Sequence, residues 1–385
     1  MAKKKKKGNK KNVKKTQNAK KTQKKIAITM GHPSHLWSNG LHQNAVFLGR
    51  LLKKAGYSVE LLSHDKDDDI KVKELGGVKL RTFKDIHKAI VDYDVIICVS
   101  VSLPESAYKL AKEKGIKMAI TEYGNLYQIF IESALMMGVK DFGVDGKKYD
   151  QADALWVSPH YERNRHWYKS FTDQNFVICP YVWEPLFFDL KCKDFKGDPK
   201  WSPEKNVKNI AIHEPNINIQ KNCIIPLAIT GLVNKRDPNM IDAVFALNTE
   251  KIKDNKPFIE YIQSIGLIGK GSFDSRRTTP FMACQNIMGT SVLHHANNSL
   301  NYLTLELLRL GYPVVHNSEE MKEAGYFYNE INVVEGADQL ELAINTHADN
   351  VKVKQEQADE ILWKYAADNP KNIQGYKDLV EKLFD

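Results

Sequence analysis

Thr290–Asn317 reads TSVLHHANNSLNYLTLELLRLGYPVVHN and gathers its polar side chains at one end. His294, His295, Asn297, Asn298, Ser299 and Asn301 fall between a β-branched run, Ser291–His294, and a segment, Leu300–Leu310, whose apolar residues recur at helical spacing. Gly311 can stop that helix, and Pro313–His316 opens another apolar run. A strand, turn, helix and strand in this order form half of a parallel α/β unit, where ligands sit beyond the carboxyl ends of strands and at helix N-termini. The cluster therefore stands where a phosphate-bearing ligand would be held. Glu306 lies within the helix with leucines on both sides, which sets a partly buried functional carboxylate against the plainer reading of a solvent-facing or capping glutamate.

Other residues invite chemistry less strongly. His32, His35 and His42 lie within and just after a Gly/Pro loop, but their i, i+3, i+10 spacing matches no strong metal-ligand pattern. Asp65-Lys66-Asp67 contains an Asp-x-Asp of the kind metal-dependent sugar transferases of another fold use, yet it sits in a charged run and reads as a solvated turn. Cys98, Cys179, Cys192, Cys223 and Cys284 show no paired spacing, so neither a disulfide framework nor a zinc site is indicated. No metal and no separate cofactor is expected. The aromatic stretch Trp156–Phe188 reads mainly as packing, with Tyr181 or Trp183 free to stack on a sugar or a base if either reaches a cleft.

These residues need a scaffold. Lys25–Met30, Val59–Leu62, Asp94–Val99, Lys117–Thr121, Ala154–Val157 and Phe176–Cys179 read as strands, with helices at Leu41–Ala55 and Glu105–Lys114. Such alternation implies a parallel sheet covered on both faces, although the opening lacks a G-x-G-x-x-G fingerprint. Lys, Asp, Gly and Pro then replace the apolar pattern over Asp189–Lys208, the best linker. A second alternation begins at Asn209–Ile212, with a helix near Lys221–Asn234 and strands near Pro257–Tyr261 and at Ile265–Ile268. Gln355–Phe384 is helical in pattern and broken at Asn369-Pro370. The expected fold class is α/β, two facing Rossmann-like domains with parallel sheets. Its divisions are a disordered lysine-rich tail over 1–25, a first domain over 26–188, a linker over 189–208, a second domain over 209–350, and C-terminal helices over 351–385 that pack back toward the first domain. A cleft between two such halves is the expected site.

Charge is divided as sharply. Thirteen of the first 25 residues are lysine; of 56 basic residues in the chain this leaves 43 against 47 acidic ones, a balance of −4 outside the tail. A basic arm can hold DNA, RNA or another polyanion through counterion release, while the alternative is a solvated extension with few apolar residues to bury. No run approaches the roughly 18 apolar residues that span a bilayer, and the tail lacks the apolar segment of a secretory signal. The expected location is the cytoplasm, that of the host if the chain is viral.

Four passages together resemble the GT-B superfamily of nucleotide-sugar glycosyltransferases, in particular family-4-type enzymes and glycosyltransferase-like bacterial and phage proteins. They are SNGLHQNAVFLGRLLKKAGYSVELLS, ADALWVSPHYERN with VICPYVWEPLFF, IAIHEPNINIQKNCIIPL, and NNSLNYLTLELLRLGYPVVHNS. The resemblance implies a donor bound mainly by the second domain. It matches Glu306 to the second glutamate of the E-x7-E pattern, which would accept hydrogen bonds from the nucleotide ribose, and it finds Asn298 where the family places the first, sugar-contacting glutamate. Lys221 falls near the family's diphosphate-binding basic residue, and Gly40 matches the first-loop glycine that lets backbone approach donor phosphates or acceptor.

Glycosyl transfer from a nucleoside diphosphate develops negative charge on the leaving diphosphate and oxocarbenium character on the sugar. Lys221, the helix N-terminus near Asn298, Ser299 and Leu300, His294, and Arg276 or Arg277 are the candidates for the first need. His32, His35, His42 and Glu122 are candidates for the base, and sequence does not choose among them. The partners implied are a nucleotide-sugar donor and an acceptor: a polysaccharide, a lipid-linked or protein acceptor, or, through the lysine tail, a hydroxymethylated base in DNA. A non-catalytic nucleotide- or sugar-binding protein of the same fold is the second class.

Overall fold

The computed structural model describes residues 23–31, 36, 40–64, 75–99, 101–136, 144, 146–273 and 276–385. The lysine tail to residue 22, His32, His35 and the Asp65–Asp69 run lie outside the described residues.

The first half alternates β1 (Lys25–Thr29), α1 (Gly40–Lys54), β2 (Ser58–Ser63), β3 (Lys79–Thr82), α2 (Ile86–Ile90), β4 (Val95–Cys98), α3 (Glu105–Lys114) and β5 (Lys117–Glu122). It continues through α4 (Leu126–Leu135), α5 (Gly146–Asp150), β6 (Ala154–Val157), α6 (Arg165–Tyr168) and β7 (Phe176–Ile178). α7 (Leu186–Cys192) then leads to β8 (Asn209–Ile212), α8 (Ile224–Arg236), β9 (Ala243–Ala246), α9 (Lys256–Ser264), β10 (Gly271–Ser272) and α10 (Thr279–Cys284). The rest is β11 (Thr290–Val292), α11 (Tyr302–Arg309), β12 (Val314–His316), β13 (Tyr326–Phe327), α12 (Val333–Tyr365) and α13 (Pro370–Glu381).

The strands make two parallel sheets, ordered β3-β2-β1-β4-β5-β6-β7 and β10-β9-β8-β11-β12-β13. In each, the order reverses beside the first strand. Ile26 pairs with both Val59 and Val95, and Ile210 with both Val244 and Thr290. The two reversals open crevices at the carboxyl ends of β1/β4 and β8/β11, the ligand sites of such sheets. Alternation along β1 explains why both faces are covered: Ile26 and Ile28 enter one apolar core, and Ala27 enters the other. The first of these cores continues without a break from Phe47, Trp156 and Tyr181 to Met282, Leu293 and Leu305 of the second half.

After Tyr365 the chain turns through Asn369, whose Oδ1 accepts from Lys371 N at 2.9 Å, and Pro370 begins α13. α13 lies on the first sheet: Tyr376 Oη donates to Pro180 O at 2.9 Å and accepts from Tyr123 Oη at 2.7 Å.

Several expectations need correction. Pro257–Tyr261 is not a strand but part of α9, because Asn255 caps it, Pro257 fits its first turn, and Phe258 and Ile262, four apart, face the core. Ile265–Ile268 is a turn around Gly266 at φ 72°, and the strands there are β9 and the two-residue β10. Residues 23–25 belong to the fold and not to the tail: Gln23 Nε2 donates to Gly56 O at 2.6 Å, and Lys25 opens β1. The 189–208 stretch includes the end of α7 and buries Trp201 and Lys205; the Lys205 ammonium donates to Ala283 O at 2.8 Å and to Tyr312 Oη. Its polar composition therefore conceals anchors to the second half.

Candidate nucleotide-sugar site

The second sheet's crevice is built by three strand ends. β8 runs into His213 and Glu214, β9 into Leu247 and Asn248, and β11 into Leu293–His295. His213 is fixed by Thr279 Oγ1 and Ser291 Oγ, each at 3.2 Å from a ring nitrogen. Asn248 takes a left-handed conformation at φ 56°, tolerable for asparagine, and its amide donates to the carbonyls of His213 and Glu214 at 3.4 Å. α11 rises across these ends. Asn301 caps it, accepting from Leu303 N at 3.1 Å, and the helix buries Leu305 and Leu308 while turning Glu306 to a cavity.

That cavity, about 410 Å³, is lined by His213, Asn248, Arg277 and Glu306 of the second half and closed by Gln43 of α1 with Phe187 and Phe188 of α7. Its size suits a small ligand of nucleoside type. The Glu306 carboxyl makes no hydrogen bond or ion pair with any described residue, and burial, helped by the negative charge of Asp189, pushes its pKa up to about 8. An uncompensated carboxyl in a cavity is poised to accept hydroxyl hydrogens.

Beside this cavity lies a second polar group. Glu214 is 1% exposed, and its Oε1 accepts from His294 N at 3.3 Å and stands 3.7 Å from His295 Nε2. Burial raises its pKa, and the nearby Lys221 ammonium opposes the rise; burial correspondingly lowers Lys221. Lys221 is carried by the loop before α8, which is tied to the loop after β11 by Ala296 N donating to Gln220 O at 3.0 Å. Tyr328 Oη donates to Leu293 O at 2.9 Å, so the His294 Nδ1–H is the donor in their 3.0 Å contact and Nε2 keeps the lone pair.

The first half meets this group across a polar seam. Asn125 Nδ2 donates to Asn297 O at 2.8 Å, Arg163 to Asn297 Oδ1 at 3.0 Å, and Tyr161 Oη to Asn298 Oδ1 at 2.7 Å. Ile219 N donates to Glu132 Oε1 at 3.1 Å, and Tyr302 Oη donates to Asn44 Oδ1.

The structure sets Glu306 at the cavity, Lys221 and His294 in the polar group around Glu214, and Asn298 in the seam, and it treats the other expected residues differently. Ser299 and Leu300 precede α11, whose cap is Asn301; Leu300 is buried and its carbonyl accepts from Tyr181 Oη at 3.4 Å. Gly40 opens α1 where a Cβ would stand 3.4 Å from the Tyr302 ring, so the close approach there is to Tyr302. His42 is buried with its ring against Gly31. Glu122 accepts from Tyr149 Oη at 2.8 Å among the buried tyrosines of the first half, and burial holds its carboxyl up. Arg276 pairs with Glu250 at 2.9 Å, while Arg277 stays at the cavity rim. Trp183 and Tyr181 are packing residues, the latter wedged edge-on against His160 and Tyr365. His213, Asn248, Asn125 and His160 escaped the sequence reading, since each is a single polar residue near a strand end with no spacing to mark it.

The profile of one protein family, described as a protein of unknown function (DUF2827), matches residues 25–380, nearly all of the folded chain. The chain belongs to the DUF2827 family. No curated protein matches its sequence. Among solved structures, this DUF2827 chain is similar to Anabaena HepE in complex with UDP-glucose, at 11% identity over 93% of this chain and 100% of that one, with a TM-score of 0.61. A glycosyltransferase from Rickettsia africae ESF-5 gives 11% identity, coverage of 94% and 99%, and a TM-score of 0.59. An alpha-glucosyltransferase in complex with UDP and a 13-mer DNA containing an HMU base gives 14%, 94% and 100%, and 0.55. At such identities the likeness establishes the fold: the DUF2827 chain has the two-domain, Rossmann-like GT-B architecture.

Proposed function

We propose that this protein is a glycosyltransferase that moves a sugar from a nucleoside-diphosphate sugar to an acceptor across the cleft. The observation that carries this reading is Glu306: an unpaired carboxyl on α11 facing a nucleoside-sized cavity at the carboxyl ends of β8 and β9. In this reading Glu306 accepts from the ribose hydroxyls, Lys221 neutralises the diphosphate, and the sugar lies toward Asn298. The ammonium of Lys221 then stabilises the charge that grows on the leaving diphosphate as the glycosidic bond breaks. His42 and Glu122 are the base candidates among the described residues, His32 lies outside them, and no metal is assigned a step.

A thermal-shift panel of nucleoside diphosphates and their sugar conjugates tests it, because a ligand that binds only the folded state raises the melting temperature. One nucleotide should stabilise the protein strongly, and Glu306→Ala should lose that shift while still unfolding in one cooperative unliganded transition. An absence of any shift across the panel would defeat the reading.

For the acceptor, a hydroxymethylated base in DNA is supported by the thirteen lysines of the first 25 residues and by the solved relative in fold that holds DNA with an HMU base. Transfer of labelled sugar to hydroxymethylated DNA measures this directly. A second reading, a nucleotide-sugar-binding protein without turnover, is favoured by Asn298, whose amide stands where the resemblance expects a carboxylate and whose Oδ1 is already occupied by Tyr161. Tight nucleotide binding with neither transfer nor donor hydrolysis would select it.

A further inference from the structure

His160 follows β6 in the 3₁₀ turn Pro159–Asn164, within the seam between the halves. Its ring centroid lies 3.8 Å from that of Tyr161 and 5.8 Å, edge-on, from that of Tyr181. It is 7% exposed, and neither ring nitrogen has a hydrogen-bond partner among the described residues. The Asn298 amide approaches the ring without the geometry of a hydrogen bond, its Oδ1 being held by Tyr161. A phenylalanine would fill the same space without burying two unmet polar atoms, so packing does not account for an imidazole here.

Two more nitrogen groups belong to the neighbouring part of the seam, where Ala296 N donates to Gln220 O at 3.0 Å and so holds the Lys221 loop beside His295. The Lys221 ammonium makes no hydrogen bond with its side chain to any described residue; the buried Glu214 carboxyl is its charge partner at longer range, and its charge is felt at both His160 and His295. His295 Nε2 accepts from Asn301 Nδ2 at 2.7 Å, since the Asn301 oxygen caps α11; the hydrogen of His295 is therefore on Nδ1, which is buried and unpartnered. Burial first, and the Lys221 charge second, push the His160 pKa down to about 3. So weak a base takes a proton from an acceptor hydroxyl poorly, but a neutral imidazole still donates one N–H.

We propose that His160 contacts the donor's diphosphate: its ring N–H donates to a β-phosphate oxygen, closing from the first half an anion site whose other walls are Lys221 and His295. The β-phosphate, next to the sugar, is the one that would lie between Lys221 and Asn298. The assignment rests on the nucleotide-sugar reading above and adds that the leaving group is gripped from both halves, so that the full set of donors exists only when the cleft is closed.

Calorimetric titration of the full chain with UDP, GDP, ADP and CDP, each beside its monophosphate, tests this. For the pair that binds, His160→Phe should weaken the diphosphate about tenfold and leave the monophosphate nearly unchanged, the loss of one hydrogen bond to a charged acceptor. His160→Gln, which keeps an N–H donor, should retain most of the affinity; His160→Leu replaces the Phe variant if that one fails to fold. Glu306→Ala should weaken both nucleotides, because the ribose is common to them. Parent-like diphosphate binding by His160→Phe, or a loss seen only with a sugar nucleotide, overturns the His160 assignment while leaving Glu306 intact. Failure of the parent to bind any of these nucleotides, or indifference of both to Glu306→Ala, overturns the underlying reading with it.

Discussion

At Glu306 the fold and the ligand make opposite demands. Burial favours the neutral acid and holds the pKa near 8, whereas ribose hydroxyls bind better to the ionised form. The sign of the pH dependence follows. The folded-state pKa lies above that of an unfolded glutamate, so between roughly pH 4.5 and pH 8 the folded chain binds the extra proton, and stability is lost as pH rises through that window. Glu306→Gln should therefore melt like the parent near pH 4 and at progressively higher temperature than the parent up to pH 8, read by thermal denaturation at a series of pH values. A pH-independent difference would mean that the carboxyl is hydrated or paired in solution. Glu306 was singled out in the sequence because a lone carboxylate among helical leucines is conspicuous, His294 because it ends a strand, and Lys221 only through the family resemblance. His160 was not: its significance lies in what fails to touch it, which depends on Asn298 and Lys221, more than 60 positions away in either case.

Among the elements, α8 shows how the site loop before it is held. Gly231 lies on the buried face of this helix, and a Cβ there would meet Ile265 Cβ at 2.8 Å and Ile265 O at 2.9 Å. Alanine would gain about 1 kcal/mol of helix propensity over glycine. Overpacking costs about 1–3 kcal/mol, and the backbone carbonyl of Ile265 sits in the turn after α9, where it cannot swing aside like a side-chain end. The cost should win: Gly231→Ala is expected to destabilise the protein by about 1 kcal/mol in urea unfolding, and a stabilised variant would show that the turn yields. The same turn marks where sequence pattern misled. Apolar residues near Pro257–Tyr261 and Ile265–Ile268 suggested strands, but Asn255-x-Pro257 is a helix start and Gly266 a helix stop. The edge strand β3 escaped because its residues are exposed or half-buried and its run is only four long, whereas β1 and β4, buried on both faces, announced themselves as continuous apolar runs.

Across the whole molecule, charge and architecture are separated. The folded body joins its two sheets through a continuous apolar core and a polar seam, features invisible to a pattern search because they pair residues as distant as Asn125 and Asn297. The tail, in contrast, was legible at once. Residues 1–22 carry eleven of the chain's lysines, so their removal shifts the formal net charge from +9 to −2 and takes away the one strongly basic stretch. Because Gln23 already bonds to Gly56 and Lys25 starts β1, truncation after Thr22 leaves the fold's first strand whole. Each lysine that neutralises a phosphate releases a counterion, so a tail-mediated affinity for DNA must fall steeply as salt rises, with a log–log slope set by the number of phosphates engaged. The full chain should therefore bind duplex DNA at low ionic strength and lose it with added salt, while the truncated chain should not bind at all yet respond to nucleotides in thermal shift as the parent does. DNA binding that survives truncation would move the polyanion site onto the folded body, where the balance of charge gives it least support.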